Sequence, residues 1–244
     1  MITAYFDAIR KLLEAVERDE AQAMEAAAQA VARCVTAGGV VHAFGCGHSH
    51  MLCEEIFYRA GGLACIHPIF DTGLMLHEGA LRSSDLERTV GYGTALMKRV
   101  EIRPGEVLFV FSTSGRNPVP VEVALAGKEK GATVVAITSR AYSGSQPSRH
   151  PSGKRLMDVA DIVIDNHVPP GDALLALPGL PTPFAPGSTV VGAAILNAVL
   201  ARAVELMAEA GMEPPVFFSG NLEGTDEHNA ALAERYRPRV PALR

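Results

Sequence analysis

The chain has no tryptophan and only four cysteines in 244 residues, and these absences narrow its class before any motif is considered. Cys34, Cys46, Cys53 and Cys65 form no Cys-x-x-Cys pair and are too sparse to staple a fold of this length. A disulfide scaffold is therefore excluded, and a reducing cytoplasm is the expected setting. Charge is also scarce. Lys and Arg total 22 against 27 Asp and Glu, a formal −5 with no basic block, which argues against a nucleic-acid binder whose affinity rests on neutralising phosphates. No apolar run reads as long enough to span a bilayer, and the N-terminal MITAYFDAIRKLLEAVERDE is charged throughout. Neither a signal peptide nor a membrane anchor is expected. What is abundant is apolar side chain, 48% of residues against 20% charged, a composition that folds rather than staying disordered.

Between Tyr5 and Val35 apolar residues recur every three to four positions, the spacing of one long amphipathic helix or of two stacked ones broken near Glu17–Glu20. Gly38-Gly39 ends it. Five short apolar runs follow, Val40–Phe44, Cys65–Phe70, Val107–Phe111, Val134–Thr138 and Ile162–Ile164, each too short for a buried helix and rich in β-branched or aromatic residues. Helical stretches lie between and after them, at Ser49–Ala60, Asp85–Arg99, Val119–Lys130, Lys154–Val159, Ser188–Glu209 and Thr225–Tyr236. Such alternation predicts a three-layer α-β-α sandwich around a five-stranded parallel sheet with right-handed crossovers. One domain is expected over residues 1–244, comprising an N-terminal helical segment (1–37), an α/β core (38–210) and a C-terminal extension (211–244). Arg140–Arg155 and Val168–Gly187 are rich in Ser, Gly and Pro and read as loops at the sheet's edge.

In a parallel sheet, ligands bind beyond the carboxyl ends of the strands. After the first strand stands Gly45-Cys46-Gly47-His48-Ser49-His50, in which two glycines let a ligand approach the backbone and Ser49 opens a helix whose free N–H groups attract anions. The third glycine of a dinucleotide fingerprint is replaced by His50, so Asp71 after the second strand imitates a ribose-binding acid without the rest of that motif, and no cofactor is expected. After the third strand comes Ser112-Thr113-Ser114-Gly115-Arg116-Asn117-Pro118. An ordinary helix cap explains one hydroxyl here but not three in succession, whereas hydroxyls and helix N–H groups together make a phosphate cradle. Ser139 adds a hydroxyl after the fourth strand.

In these turns, in Ala136-Ile137-Thr138-Ser139 and in Pro186-Gly187-Ser188-Thr189, the sequence resembles the SIS (sugar isomerase) domain of phosphosugar isomerases and phosphosugar-binding proteins, over Val40 to about Glu209. It is most similar to phosphoheptose-isomerase-like members and to a phosphosugar-binding group with a GHSH turn. The resemblance implies a flavodoxin- or Rossmann-like core, a sugar phosphate held by Ser49, Ser112, Thr113, Ser114 and Asn117, and a homodimer or homotetramer with sites near subunit interfaces. Gly47, His48 and Ser139 join the candidate binding set from their positions in the same turns. Where phosphoheptose isomerases and muramic-acid-6-phosphate etherases carry a catalytic glutamate, ten positions after the serine of the first turn, this chain has Arg59; the heptose enzymes' histidine in the last long helix is also missing.

An aldose–ketose isomerase needs a base, an acid and a phosphate anchor. Glu54 and Glu55 point about 100° apart on their helix, so at most one faces a site, and Glu55 is preferred. His77-Glu78, in a loop after the second strand, offers a second acid–base pair, with Glu55 or Glu78 as base and His77 as proton donor. Cys46, His48, His50 and Cys53, with His77, contain zinc-type ligands, but their spacing follows no zinc signature and no metal is assigned. His150 and Lys154 are either a lid over an anion or solvated charges, and His67, inside a strand, reads as a structural histidine. The expected function is an enediol isomerase of a sugar phosphate. A non-catalytic phosphosugar sensor and an amino-sugar-phosphate lyase or etherase are the alternatives.

Overall fold

The computed structural model describes residues 1–244. Five parallel strands, β1 (Val41–Gly45), β2 (Ile66–Pro68), β3 (Val107–Phe111), β4 (Thr133–Thr138) and β5 (Ile162–Asp165), lie in the order β2-β1-β3-β4-β5. Val41 pairs with Ile66 on one side and Val107 on the other, Val107 with Thr133, and Val135 with Ile162. Ten helices surround the sheet: α1 (Ile2–Asp19), α2 (Ala21–Thr36), α3 (Met51–Ile56), α4 (Ala80–Glu87), α5 (Tyr92–Met97), α6 (Pro118–Glu129), α7 (Arg140–Gly144), α8 (Leu156–Val159), α9 (Ser188–Glu209) and α10 (Asp226–Tyr236).

Both faces of the sheet are covered, and alternation along each strand divides the core in two. Val41, Ala43, Val107, Phe109, Phe111, Val135 and Ile137 face a layer built from α2, α3 and α9. Phe44, Leu108, Val110, Val134 and Ala136 face α5, α6 and α8. The helix α9 corrects one sequence expectation, because its length and hydropathy alone would let it cross a membrane. Here it packs by Val191, Ile195, Leu196, Val199 and Ala203 into the first of these layers.

Several boundaries differ from the sequence pattern for identifiable reasons. The first helical stretch is indeed two helices, and its break at Glu20 is fixed from far away: Glu20 Oε2 accepts the Asp165 N–H at 3.1 Å. Strand β2 is shorter than Cys65–Phe70: it ends at Pro68, whose missing N–H lies on the open edge of the sheet, and the Ile69 N–H makes the last bond to β1, at the Ala43 carbonyl. The expected helix Asp85–Arg99 is α4 and α5, separated at Gly91 (φ 88°). Buried Glu122, on α6, accepts the N–H groups of Gly91 and Thr94 and thereby caps α5. A helix through Ala60 is cut short at Ile56, because Phe57 is extended and Tyr58 is left-handed. Within the stretch read as a loop, Arg140–Gly144 is helical, capped by Ser139.

At the amino edge of the sheet, His42 on β1 and His67 on β2 are paired residues whose Nδ1 atoms lie 2.9 Å apart. His42 Nε2 lies 2.9 Å from Glu106 Oε2, and Glu106 also accepts the N–H groups of Val40 and Arg103 and a bond from Arg239 of the C-terminal extension. With His42 donating from Nε2 to Glu106, a neutral His42 accepts at Nδ1 from His67. Burial, helped by His42 and Arg239, pushes His67 down to about 4. Burial raises Glu106, but the bonds from His42, Arg103 and Val40 outweigh it and hold the carboxyl at about 2.

Both shifts act in the same direction. Between an unfolded value of 6.5 and about 4, the unfolded chain binds a proton at His67 that the folded chain refuses, so stability is complete above pH 6.5 and falls as pH drops through this window. The loss is expected to be of order 2 kcal/mol. Glu106 extends the loss towards pH 2. Urea unfolding between pH 7 and 4 should show this limb in the wild type, and His67→Gln should flatten it.

Candidate functional site

The strand order reverses at β1, whose crossover helix α3 lies on one face of the sheet while α6, following β3, lies on the other. The loops after β1 and β3 therefore diverge and leave a crevice between them. After β1 the chain turns sharply: Gly47 is left-handed (φ 55°) and Gly47–His50 form one turn of 3-10 helix. Gly45 makes the turn possible, because a Cβ there would stand 2.5 Å from the Ser49 carbonyl oxygen. After β3, Ser112 Oγ accepts the Gly115 N–H at 3.2 Å, and Gly115 is left-handed (φ 58°) with space for a Cβ closed off by Thr138 Oγ1 at 2.9 Å. Asn117 then stands at the N-cap of α6.

Ser49, Ser112 and Thr113 line a small, shallow cleft with Asn166, Ser188 and Thr189, over apolar walls of Leu52, Phe111 and Ile137. Five hydroxyls and an amide meet there, and no ionisable side chain lines it. Ser188 and Thr189 open α9, so the positive end of a 22-residue helix faces the same space. The Asp172 carboxylate already occupies part of that end: it accepts the N–H groups of Gly187 and Ser188 at 3.0 and 2.9 Å and the Ser188 hydroxyl. Asn166 and Asp172 were missed in the sequence, since each follows β5 in a stretch that carries no motif. Ser188 and Thr189 were visible only as part of a helix-start pattern.

The other sequence candidates fall in distinct places. Gly47, exposed His48 and buried His50 form the first turn, and His50 donates from Nδ1 to the Gly47 carbonyl at 2.5 Å. His77, exposed, lies with its ring 6.2 Å from that of His50, so the His77-Glu78 loop flanks this turn; Glu78 is 3.9 Å from Arg82. Ser114 is half-buried beside the cleft-lining Thr113. Asn117 is engaged on both sides, its Nδ2 donating to Glu87 at 2.8 Å and its Oδ1 accepting from Arg149 at 2.9 Å. Buried Ser139 donates to the Val168 carbonyl at 2.7 Å and accepts the Tyr142 N–H, so its hydroxyl is used in fastening α7. Glu55 is bonded to Arg59 and, at 3.0 Å, to Asn197. Asn197 lies eight residues along α9 from Thr189, about 12 Å from the cleft end of that helix.

Asp71 accepts from Gly73 N–H and Tyr92 O–H, both at 2.9 Å, which commits it to capping a turn instead of meeting a ribose. Burial pushes the thiols of Cys46 and Cys53 up, making them poor sources of thiolate. Cys46, His48, His50, Cys53 and His77 do not converge. The one set of three such groups with ligating atoms within 4.8 Å of one another is Glu20, Asp165 and His167, and its members are tied to one another by the contacts that fasten the α1–α2 break to the end of β5. His150 bonds to Ser152 at 2.7 Å, and Lys154 is exposed.

Sequence reading also missed Glu87. It ends α4, half-buried, and burial raises its carboxyl above the usual range even though the Asn117 amide, Arg88 and Arg149 pull it down. Its position 30 residues before Asn117 left no local signal.

Comparison with known proteins agrees with this architecture. A model of the SIS domain matches residues 4–139, which extends the likeness into the N-terminal helices. A UPF0309 protein of Geobacillus kaustophilus is 57% identical over 243 residues, covering 100% of this chain and 97% of the relative. Phosphoheptose isomerases of Neisseria gonorrhoeae and Francisella tularensis share the fold, each with a TM-score of 0.55, at 16% and 15% identity; they cover 85% and 84% of this chain, and 97% and 96% of their own chains are matched. A domain model matching more than half of the chain, together with a relative aligned over its whole length, places the protein among the SIS-domain proteins, in the family designated UPF0309.

Proposed function

We propose that this chain binds a phosphorylated sugar across the β1–β3 crevice and interconverts its aldose and ketose forms through an enediol. The observation that carries the reading is the convergence of Ser49, Ser112, Thr113, Ser188 and Thr189 on one cleft at a helix N-terminus. Hydroxyls and N–H groups bind an anion without a metal or a lysine, and here Asp172 orients Ser188 at the start of α9 while Ser49, Ser112, Thr113 and Thr189 supply the other hydroxyls. Ser114 and Asn117 extend the cradle along the second loop, and Gly47 and His48 border it on the first. The solved phosphoheptose isomerases share this fold.

Isomerisation moves a proton between adjacent carbons, and the His77-Glu78 loop beside the first turn supplies a base and a proton donor. Glu55 is less suited, because Arg59 and Asn197 hold its carboxylate away from the cleft. That same Arg59–Glu55 pair favours a second reading, a phosphosugar sensor without turnover, since it stands where a catalytic glutamate would otherwise be. An assembly of two or four copies accompanies either reading. Ile2 and Phe6 of α1 and Val190 of α9 remain exposed, and Tyr5 bonds the Pro186 carbonyl at 2.9 Å, joining these patches into one surface.

Three outcomes test the proposal. A panel of sugar phosphates, with the free sugars and inorganic phosphate beside them, should raise the melting temperature only for certain phosphosugars, by about 2.7 kcal/mol of stabilisation at 100 times Kd; Ser112→Ala and Ser188→Ala should weaken that response by about tenfold. With the phosphosugar that binds, Glu78→Gln and His77→Asn should slow interconversion by about 10²-fold or more, while Glu55→Gln changes it little; binding without interconversion in the wild type selects the sensor. Size-exclusion with light scattering should show a dimer or tetramer at micromolar concentration, and a monomer would refute assembly through α1 and α9.

A further inference from the structure

Two loops face each other across the crevice, one after β1 beginning at Cys46 and one after β3 ending at Asn117, and Glu87 is bonded to the second. Its Oε1 accepts the Asn117 amide at 2.8 Å, and its charge is felt by the buried Cys46 thiol next to Gly47. Because α4 runs on the α6 side of the sheet, its last residue is delivered to the edge where ligands of this fold bind. Glu87 is the half-buried carboxyl that bonds directly to the residue starting the phosphate-loop helix. Nothing in the scaffold requires an acid there: unlike Glu122, which caps α5, or Glu106, which holds four backbone and side-chain donors at the amino edge, Glu87 accepts from a single amide.

We infer that Glu87 is the catalytic acid of the site, donating its proton to the carbonyl oxygen of the bound sugar phosphate; the inference rests on the proposed isomerase reading. In the forward direction the base removes the proton from the carbon beside the carbonyl, and the electron pair of that C–H bond becomes the enediol double bond. The carbonyl π pair takes the Glu87 proton to become a hydroxyl. The Glu87 carboxylate then accepts the proton of the neighbouring hydroxyl as the new carbonyl forms, and the base returns its proton to the other carbon. Both groups end as they began.

The surroundings suit this role. The groups that face Glu87 are Arg88 on its own helix end, Arg149 of the loop bonded to Asn117, Asn117 itself and Cys46 after β1. The two guanidiniums and the amide favour the carboxylate, yet burial prevails and the acid form persists to higher pH than in a solvated glutamate. An acid that keeps its proton to higher pH than a solvated glutamate is suited to protonating the carbonyl oxygen as the enediol forms.

Glu87→Gln preserves size and hydrogen bonding and removes the transferable proton. With the phosphosugar that most raises the melting temperature, aldose–ketose interconversion followed by proton NMR should fall by about 10²- to 10⁴-fold in Glu87→Gln, while the ligand-induced rise in melting temperature is kept. Glu87→Asp should recover part of the rate, and the loss of wild-type kcat/KM at high pH, from ionisation of Glu87, should be absent from the residual activity of Glu87→Gln. Unchanged interconversion in Glu87→Gln would overturn the inference and leave the isomerase reading standing. Loss of the ligand-induced rise would make Glu87 a binding group and overturn it too. A wild type that binds a phosphosugar but never interconverts it overturns the inference and selects the sensor, and a wild type that no phosphosugar stabilises overturns the reading of the site itself.

Discussion

The reversal of strand order at β1 is the constraint on which the rest of the carboxyl edge depends. With β1 between β2 and β3, the crossover through α3 must lie on one face and that through α6 on the other, so the two loops cannot pack against each other. A protein interior would close such a gap with side chains. Here the chain lines it with hydroxyls, and two glycines make this geometrically possible. Gly45 lets the first turn fold back against its own strand, and Gly115 lets the second pass beside Thr138. The crevice is therefore a property of the topology, while its polarity is a property of six side chains.

The two edges of the sheet divide their polar chemistry differently. At the amino edge His42 links His67 to Glu106, and Arg239 bonds Glu106 through one guanidinium nitrogen while its buried Nε and Nη1 have no hydrogen-bond partner, joining the C-terminal extension to the two strands next to the crevice. Those groups are committed, and the cost of burying them is offset in part by the bonds they make. At the carboxyl edge charge is kept back from the cleft: Asp172 holds the start of α9 and Asp71 caps a turn. Buried charge that is paired gives rigidity, whereas the hydroxyls of the two glycine-bearing turns keep a capacity for an incoming anion at little cost in desolvation. A fold held firmly at one edge can leave the other open for a ligand.

The sequence disclosed what is encoded locally. Strands of four to six residues buried on both faces announce themselves as short β-branched runs, and α9 begins and ends where its pattern does. What was not legible depends on partners distant in the chain. The split of α4 from α5 is enforced by Glu122, some thirty residues on, and the break after α1 by Asp165, 145 residues away. The same holds in the site. The serines of the two glycine-bearing turns could be found by motif, but whether Glu55 or Glu87 is an acid of consequence depends on Asn197 in one case and Asn117 in the other. Helix periodicity says which way a glutamate points and not what waits there.

Arg59 illustrates how one substitution redistributes such roles. Arg59 lies beyond the end of α3, and the turn at Phe57–Tyr58 brings its guanidinium back onto the Glu55 carboxylate. A glutamate at 59 would instead repel it and leave both acids free. The arginine thus removes two candidates at once, one by identity and one by pairing, and Asn197 completes the neutralisation from α9. The stretch between β2 and β3 then becomes the richest source of an acid and a base for this crevice, since His77, Glu78 and Glu87 lie within eleven residues. That stretch leaves one side of the crevice and returns beside the other, so it is the one connection able to present groups to a ligand from both loops.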